Sequence, residues 1–286
     1  MKKNRPGICL QKIHRRFEVA AVTDRGSVRT SNEDGFLVDP HLGLVVVADG
    51  MSGQSGGSGV EASALTIKSI YSYLSGGKLE TTLPSVSDET ILSTGGNIDS
   101  YPMAKGNHQI LPLEQMREAI AYANSQIYSV NHACGRPDRK GIGATLGGIY
   151  WPSPAEGRAI IFHVGDCRVY RLRDAVLHRL TQDHSACQKW IDNGMQGIPP
   201  ARNLILRAVG PCANVEADIS THMLLPGDVI LLCSNGLTLM VSDRDIKALL
   251  YQVAAGIGVE QGALQLVDMA KANGGKDNIT VVLGMI

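Results

Sequence analysis

Neither sign of charge is in excess in this chain. Lys plus Arg and Asp plus Glu each number 27 in 286 residues. Without a basic surplus the chain is a poor candidate for a general nucleic-acid binder, and no nucleic-acid partner is expected. No run of about 18 apolar residues occurs, so a membrane span is not expected. Residues 1–16 are basic, broken by Pro6 and devoid of an apolar core, which does not read as a secretory leader. The six cysteines, Cys9, Cys134, Cys167, Cys187, Cys212 and Cys233, form no C-x-x-C pair, so zinc has no support. Cys167 and Cys233 adjoin apolar runs and read as small core residues. A reduced, cytoplasmic protein fits. Also absent is a G-x-x-x-x-G-K-[ST] loop, and Gly141-Ile142-Gly143-Ala144-Thr145-Leu146 lacks the last glycine of the dinucleotide fingerprint. The 32 glycines follow no Gly-X-Y repeat, so collagen is excluded and they must serve turns and close backbone approaches.

What remains is a globular composition, with 44% hydrophobic and 19% charged residues. Short, β-branched apolar runs predict strands at 17–23, 44–48, 145–150, 159–164, 168–173, 229–233 and 279–283. A short turn at Val164-Gly165-Asp166 predicts a hairpin between two of them. Spacings of three and four predict helices over 60–74, 113–131, 243–255 and 259–272. In the second of these, Met116, Ala119, Ile120, Ala123 and Ile127 share one face. Strands cluster instead of alternating with helices, which disfavours a doubly wound parallel sheet. Two packed antiparallel sheets with helices outside would use these elements, an α+β class. The expected organisation is one domain over 1–286. Residues 75–112, rich in Gly, Ser and Thr, read as a long flexible insertion between two helices.

One pattern recurs at the strand ends. Val45-Val46-Val47-Ala48 runs into Asp49-Gly50, and Leu231-Leu232-Cys233-Ser234 into Asn235-Gly236. Asn32-Glu33-Asp34-Gly35 precedes Phe36-Leu37-Val38, and Asp277-Asn278 precedes the last strand. Singly, Asp-Gly and Asn-Gly are ordinary turns. Gathered on one rim, carboxylates repel one another unless a cation neutralises them, and oxygen-only donors suit Mg²⁺ or Mn²⁺.

These segments carry a resemblance. With Thr23-Asp24-Arg25-Gly26, Arg29, Gly143-Ala144-Thr145-Leu146, His163-Val164-Gly165-Asp166-Cys167-Arg168, Leu180-Thr181-Gln182-Asp183-His184-Ser185 and Arg207-Ala208-Val209-Gly210, they are similar in content and order to the PPM family. These are the metal-dependent, type 2C serine/threonine protein phosphatases, here in bacterial form. The resemblance spans about 17–283. It implies a four-layer α-β-β-α sandwich with two divalent ions, Mn²⁺ or Mg²⁺, at one end. It implies that Asp49 bridges the ions and that Gly50 offers its carbonyl. Glu33 would bind one ion directly or through water, Asp277 and the residue at 235 the other. Asp34 would orient water, Arg29 would grip the substrate phosphate and Asp166 would brace the site from behind the ligands. It also implies attack on phosphorus by an ion-activated water, without a covalent intermediate, on a phosphorylated protein such as a serine/threonine kinase or its target. The segment 184–210 corresponds to a variable flap.

Three positions depart from the family pattern. Asn235 stands where the family has aspartate; an amide ligates through oxygen but brings no charge. This leaves two readings: a phosphatase with a weakened metal site, or an impaired relative that binds phosphoproteins as a scaffold. Met51 follows Asp49-Gly50 where many eukaryotic members have histidine, as in the bacterial branch. Cys167 replaces a usual serine. Asp138 is the nearest candidate for a third ion, but its register does not match and it reads as loop charge. Gly53-Gln54-Ser55-Gly56-Gly57 matches G-x-S-x-G without the strand-to-helix elbow that motif needs.

Overall fold

The computed structural model describes residues 7–13, 17–76, 111–153 and 156–286. The insertion expected at 75–112 lies, but for its ends, outside them. In chain order the strands are β1 (Gly7–Ile13), β2 (Phe17–Asp24), β3 (Asp34–Asp39), β4 (Leu44–Met51), β5 (Gly143–Tyr150), β6 (Arg158–Val164), β7 (Arg168–Arg173), β8 (Val176–Arg179), β9 (Asp218–Met223), β10 (Val229–Cys233) and β11 (Ile279–Met285). The helices are α1 (Gly59–Leu74), α2 (Pro112–Ala133), α3 (Ala186–Asp192), α4 (Asn235–Thr238), α5 (Asp243–Gln252) and α6 (Val259–Ala272). One sheet has six strands in the order β1-β2-β11-β10-β7-β8, the other five in the order β3-β4-β5-β6-β9. Every pairing is antiparallel.

The period of two along each strand builds the layers. On β4, Leu44, Val46 and Ala48 face α1 and α2, while Val45 and Val47 face the other sheet. On β11, Ile279, Val281 and Leu283 face α6 and Val282 faces inward. Three apolar clusters result, one between the sheets and one under each helix pair, which is the expected α-β-β-α sandwich. Strands buried on both faces read as unbroken apolar runs, and so they are visible in the sequence. The edge strands β8 and β9 are half exposed, and so they are not. Helix α2 begins on Pro112, whose missing N–H costs nothing there. Helix α5 is capped by the Ser242 hydroxyl, which accepts from the Asp245 N–H at 3.2 Å. It stops at Gln252 instead of running on to 255, because the chain passes into a single π turn containing Gly256 at φ 110°.

The hairpin expected at 164–166 does not form. β6 pairs with β5 and β9 in one sheet, β7 with β8 and β10 in the other. The turn carries the chain across the sandwich, with Gly165 at φ 96°. A short glycine turn between two strands looks alike in sequence whether the strands pair or part.

Candidate metal centre

Strand ends from both sheets deliver the acidic residues to one place. Asp34 on β3 lies opposite Asp49 on β4 in the five-stranded sheet. Asn235 follows β10 and Asp277 precedes β11, neighbours in the six-stranded sheet. Asp166 sits on the turn crossing between sheets. The charges of Asp34, Asp166, Asp277 and Arg29 all act on the Asp49 carboxyl, so the structure does bring these predicted residues together.

Each side chain is held by identifiable contacts. Asp34 is buried, and its Oδ2 accepts from the Ser234 and Thr280 hydroxyls, each at 2.7 Å. Glu33 Oε1 accepts from the Ser52 hydroxyl at 2.9 Å and from the Gly59 N–H at 3.2 Å. The Glu33 N–H donates to Asn278 Oδ1 at 2.8 Å, and the Asn278 amide donates in turn to the carbonyls of Arg25 and Ser31. Asn278 thus fastens the loop bearing Arg29 and Glu33 to the start of β11. Gly50 has no room for a side chain: a Cβ would lie 1.9 Å from the Gly59 carbonyl oxygen. Cys167, behind the site, is buried and lies 3.2 Å from the Thr145 hydroxyl, a structural place as expected.

Electrostatically the cluster holds more negative charge than positive, with Arg29 its one cation among the groups acting on Asp49. Burial pushes the Asp34 carboxyl up to about 6, against the pull of its two hydroxyl donors. Burial also raises Asp166 to about 6, helped by the charge of Asp183. Asp49 is raised by burial first, then by Asp34, Asp166 and Asp277, with Arg29 opposing. Three buried oxygens have no hydrogen-bond partner: Asp34 Oδ1, Asp166 Oδ1 and Asn235 Oδ1. Such orphans are costly unless something accepts their lone pairs. An all-oxygen donor set with surplus negative charge fits a hard divalent cation.

Two residues are engaged differently from the expectation. Arg29, expected to grip phosphate, grips Asp277 with two bonds, Nε to Oδ1 at 2.9 Å and Nη2 to Oδ2 at 3.0 Å. The Asn235 amide nitrogen donates to Asp166 Oδ2 at 3.3 Å, so Asp166 touches Asn235 directly. Asp138 accepts from the Tyr128 hydroxyl at 3.0 Å, and Ser55 sits on an exposed turn between β4 and α1.

A second cluster has donor atoms close enough for a metal but holds them in hydrogen bonds. His163, His184 and Asp218 have donor atoms within 4.8 Å of one another; among the described residues no other trio of His, Cys or carboxylate side chains does, and the acidic rim is spread wider than one ion spans. Yet His184 Nδ1 accepts from the Gly165 N–H at 3.1 Å, so Nε2 must carry the ring proton and faces Asp218 at 3.3 Å. His163 Nε2 donates to the Gln182 carbonyl at 2.7 Å, which leaves only its Nδ1 with a lone pair, so the trio offers an ion one imidazole and not two. A protonated ring nitrogen offers no lone pair.

No family model matches the chain. The serine/threonine phosphatase stp of Listeria monocytogenes is 31% identical over 269 residues, covering 91% of this chain and 92% of that protein. PstP of Mycobacterium tuberculosis is 32% identical, covering 92% of this chain and 44% of its own length. The chain belongs to the PPM family of serine/threonine phosphatases. A crystal structure of the M. tuberculosis PstP matches with a TM-score of 0.72 at 29% identity over 95% of this chain and 99% of that one. The PstP catalytic domain solved in complex with two manganese ions matches with a TM-score of 0.70 at 30% identity, covering 94% of this chain and 98% of that one. Against this PPM background, the residues the sequence reading missed are Ser52, Gly59, Ser234, Asn278 and Thr280. All support a predicted residue and none carries charge; only the fold reveals that Ser234 and Thr280 converge on Asp34 from about 200 residues away or more.

Proposed function

We propose that this PPM phosphatase removes phosphate from phosphoserine and phosphothreonine in a protein substrate, using two divalent ions, Mn²⁺ or Mg²⁺, at a site weakened by Asn235. The observation that carries the reading is the trio of partnerless buried oxygens on Asp34, Asp166 and Asn235 within one acidic cluster. On this reading Asp49 would be shared by both ions, the Gly50 carbonyl and Glu33 would serve one, and Asp277 and Asn235 would serve the other. The ions, when bound, supply Lewis acidity and a water of lowered pKa. The chain's own groups do the positioning. Asp34 Oδ2 is fixed by two hydroxyls, which leaves Oδ1 to hold a water by its proton. Arg29 offers a planar fork that matches two phosphate oxygens. Asp166 orients Asn235. The one-domain reading of 1–286 suits a site assembled from strands on both sides of the sandwich. The partner class is a phosphorylated serine/threonine kinase or its target, which places the protein in cytoplasmic signal transduction. Among the described residues no helix is long and apolar enough to cross a membrane.

The second reading, an impaired scaffold that binds phosphoproteins, draws on the uncharged Asn235. Hydrolysis of p-nitrophenyl phosphate across a Mn²⁺ series separates the two. We expect measurable turnover in this chain and, in Asn235→Asp, saturation at roughly tenfold lower Mn²⁺, since a carboxylate adds charge at the ion. Turnover in Asn235→Asp alone would remove the claim that this chain is active, and turnover in neither would remove the phosphatase reading.

A further inference from the structure

The fork between Arg29 and Asp277 joins two residues to which the reading above gives separate tasks. We propose that Arg29 is a built-in counter-cation of the metal centre: it shares Asp277 with the divalent ion until a substrate phosphate draws it off, so phosphate and metal bind cooperatively. The proposal rests on Asp277 being a cation ligand.

The geometry is specific. Nε and Nη2 of Arg29 address separate oxygens of Asp277, at 2.9 and 3.0 Å, the parallel pairing that a guanidinium makes best. Asp277 Oδ1 also accepts the Asn278 N–H at 3.0 Å, so the carboxylate is already well supplied with donors. Charge pushes the same way. Asp277, Asp49 and Glu33 all favour the charged guanidinium, so Arg29 sits in the field that would hold the ions. A guanidinium cannot give up its proton, so its charge leaves the site only when the side chain moves. It is open to an incoming anion, because the Arg29 side chain is 51% exposed and Asp277 is 24% exposed. A half-solvated pair is weak and readily exchanged. A phosphate dianion offers the same fork with more charge than a carboxylate.

Asn235 sharpens the effect in this chain. With an amide at 235, an ion at this end depends on the Asp277 charge, and Arg29 is the side chain that offsets it. By linkage, whatever releases Arg29 tightens the metal, and the metal in turn eases release of Arg29.

The test is a Mn²⁺ titration of the full chain, read by the paramagnetic resonance signal of free Mn²⁺, with and without inorganic phosphate. It compares the wild type with Arg29→Ala, Arg29→Gln and Arg29→Lys. Arg29→Ala and Arg29→Gln are expected to bind Mn²⁺ roughly two- to fivefold tighter than wild type at the weaker site, the scale of a half-exposed charge pair. Phosphate should tighten Mn²⁺ more in the wild type than in either neutral variant. Arg29→Lys, which keeps the charge, should stay near wild type. Neutral variants that bind Mn²⁺ no tighter than wild type, or a lysine variant as tight as the alanine one, would overturn the proposal and leave the phosphatase reading standing. Absence of Mn²⁺ binding in all four proteins would overturn the metal-centre reading itself.

Discussion

At the scale of single residues, the site depends as much on missing side chains as on carboxylates. A Cβ on Gly59 would lie 2.7 Å from the Glu33 carboxyl carbon and 2.7 Å from the Gly50 carbonyl oxygen. Gly59 opens α1, where alanine would ordinarily favour the helix by up to about 1 kcal/mol. The clash and the propensity therefore oppose each other in stability but not in function. Gly59→Ala should melt within a few degrees of wild type, yet lose roughly tenfold or more in kcat/KM and bind Mn²⁺ more weakly, because the Glu33 carboxyl and the Gly50 carbonyl it crowds are the proposed ligands. Unchanged kinetics in a variant that folds would show that Glu33 and Gly50 are not needed in their present places. The same residue shows how far a sequence can be read. Asp49-Gly50 and Asp277-Asn278 announce themselves by ending or preceding apolar runs, whereas Gly59 lies among other glycines and serines. Nothing local distinguishes it until α1 packs beside β4.

At the scale of elements, the crossing turn between β6 and β7 is where local pattern and fold part company. Its glycine and its flanking apolar runs are legible; which sheet each run joins depends on partners far along the chain. His184 fixes the crossing. Its N–H donates to the Gly165 carbonyl at 2.7 Å and its Nδ1 accepts from the Gly165 N–H at 3.1 Å. Its ring stacks on His163 at 4.5 Å and faces Asp218 and Arg207. Protonating Nδ1 would convert an acceptor into a second donor facing a donor. Burial, aided by the Arg207 charge and opposed by Asp218, holds the His184 pKa below its ordinary value of 6.5, and burial does the same for His163. The unfolded chain therefore binds more protons than the folded one as pH drops past 6.5, and stability falls in that direction. Asn at 184 keeps an acceptor for Gly165 but does not titrate. Urea midpoints between pH 7 and 5 should fall less steeply in His184→Asn than in wild type; parallel slopes would mean that another group carries the acid sensitivity.

At the scale of the molecule, the balanced count of 27 basic and 27 acidic residues conceals an uneven distribution. Folding gathers Asp34, Asp49, Asp166 and Asp277 from four separate places, and the strand order places β2 beside β11, so early and late segments complete one site. The layers were legible because central strands and amphipathic helices advertise burial; the strand order was not, because it is set by pairings between distant segments. Bringing those carboxylates together stores repulsion in the folded chain that the unfolded chain does not feel. A divalent ion that binds only the gathered set adds stability as RT ln(1 + [L]/Kd), about 2.7 kcal/mol at a free concentration of 100 Kd. For a chain of this size that corresponds to roughly 5–10 °C in melting temperature. Thermal melts should thus rise with Mn²⁺ concentration and return with a chelator. Asp49→Asn should reverse the pattern, melting above wild type in chelator because one repelling charge is gone, and gaining little from Mn²⁺ because the shared carboxylate is gone as well. A wild-type melting temperature indifferent to Mn²⁺ would mean that the carboxylates tolerate one another without an ion, and the unpartnered oxygens would then need another explanation.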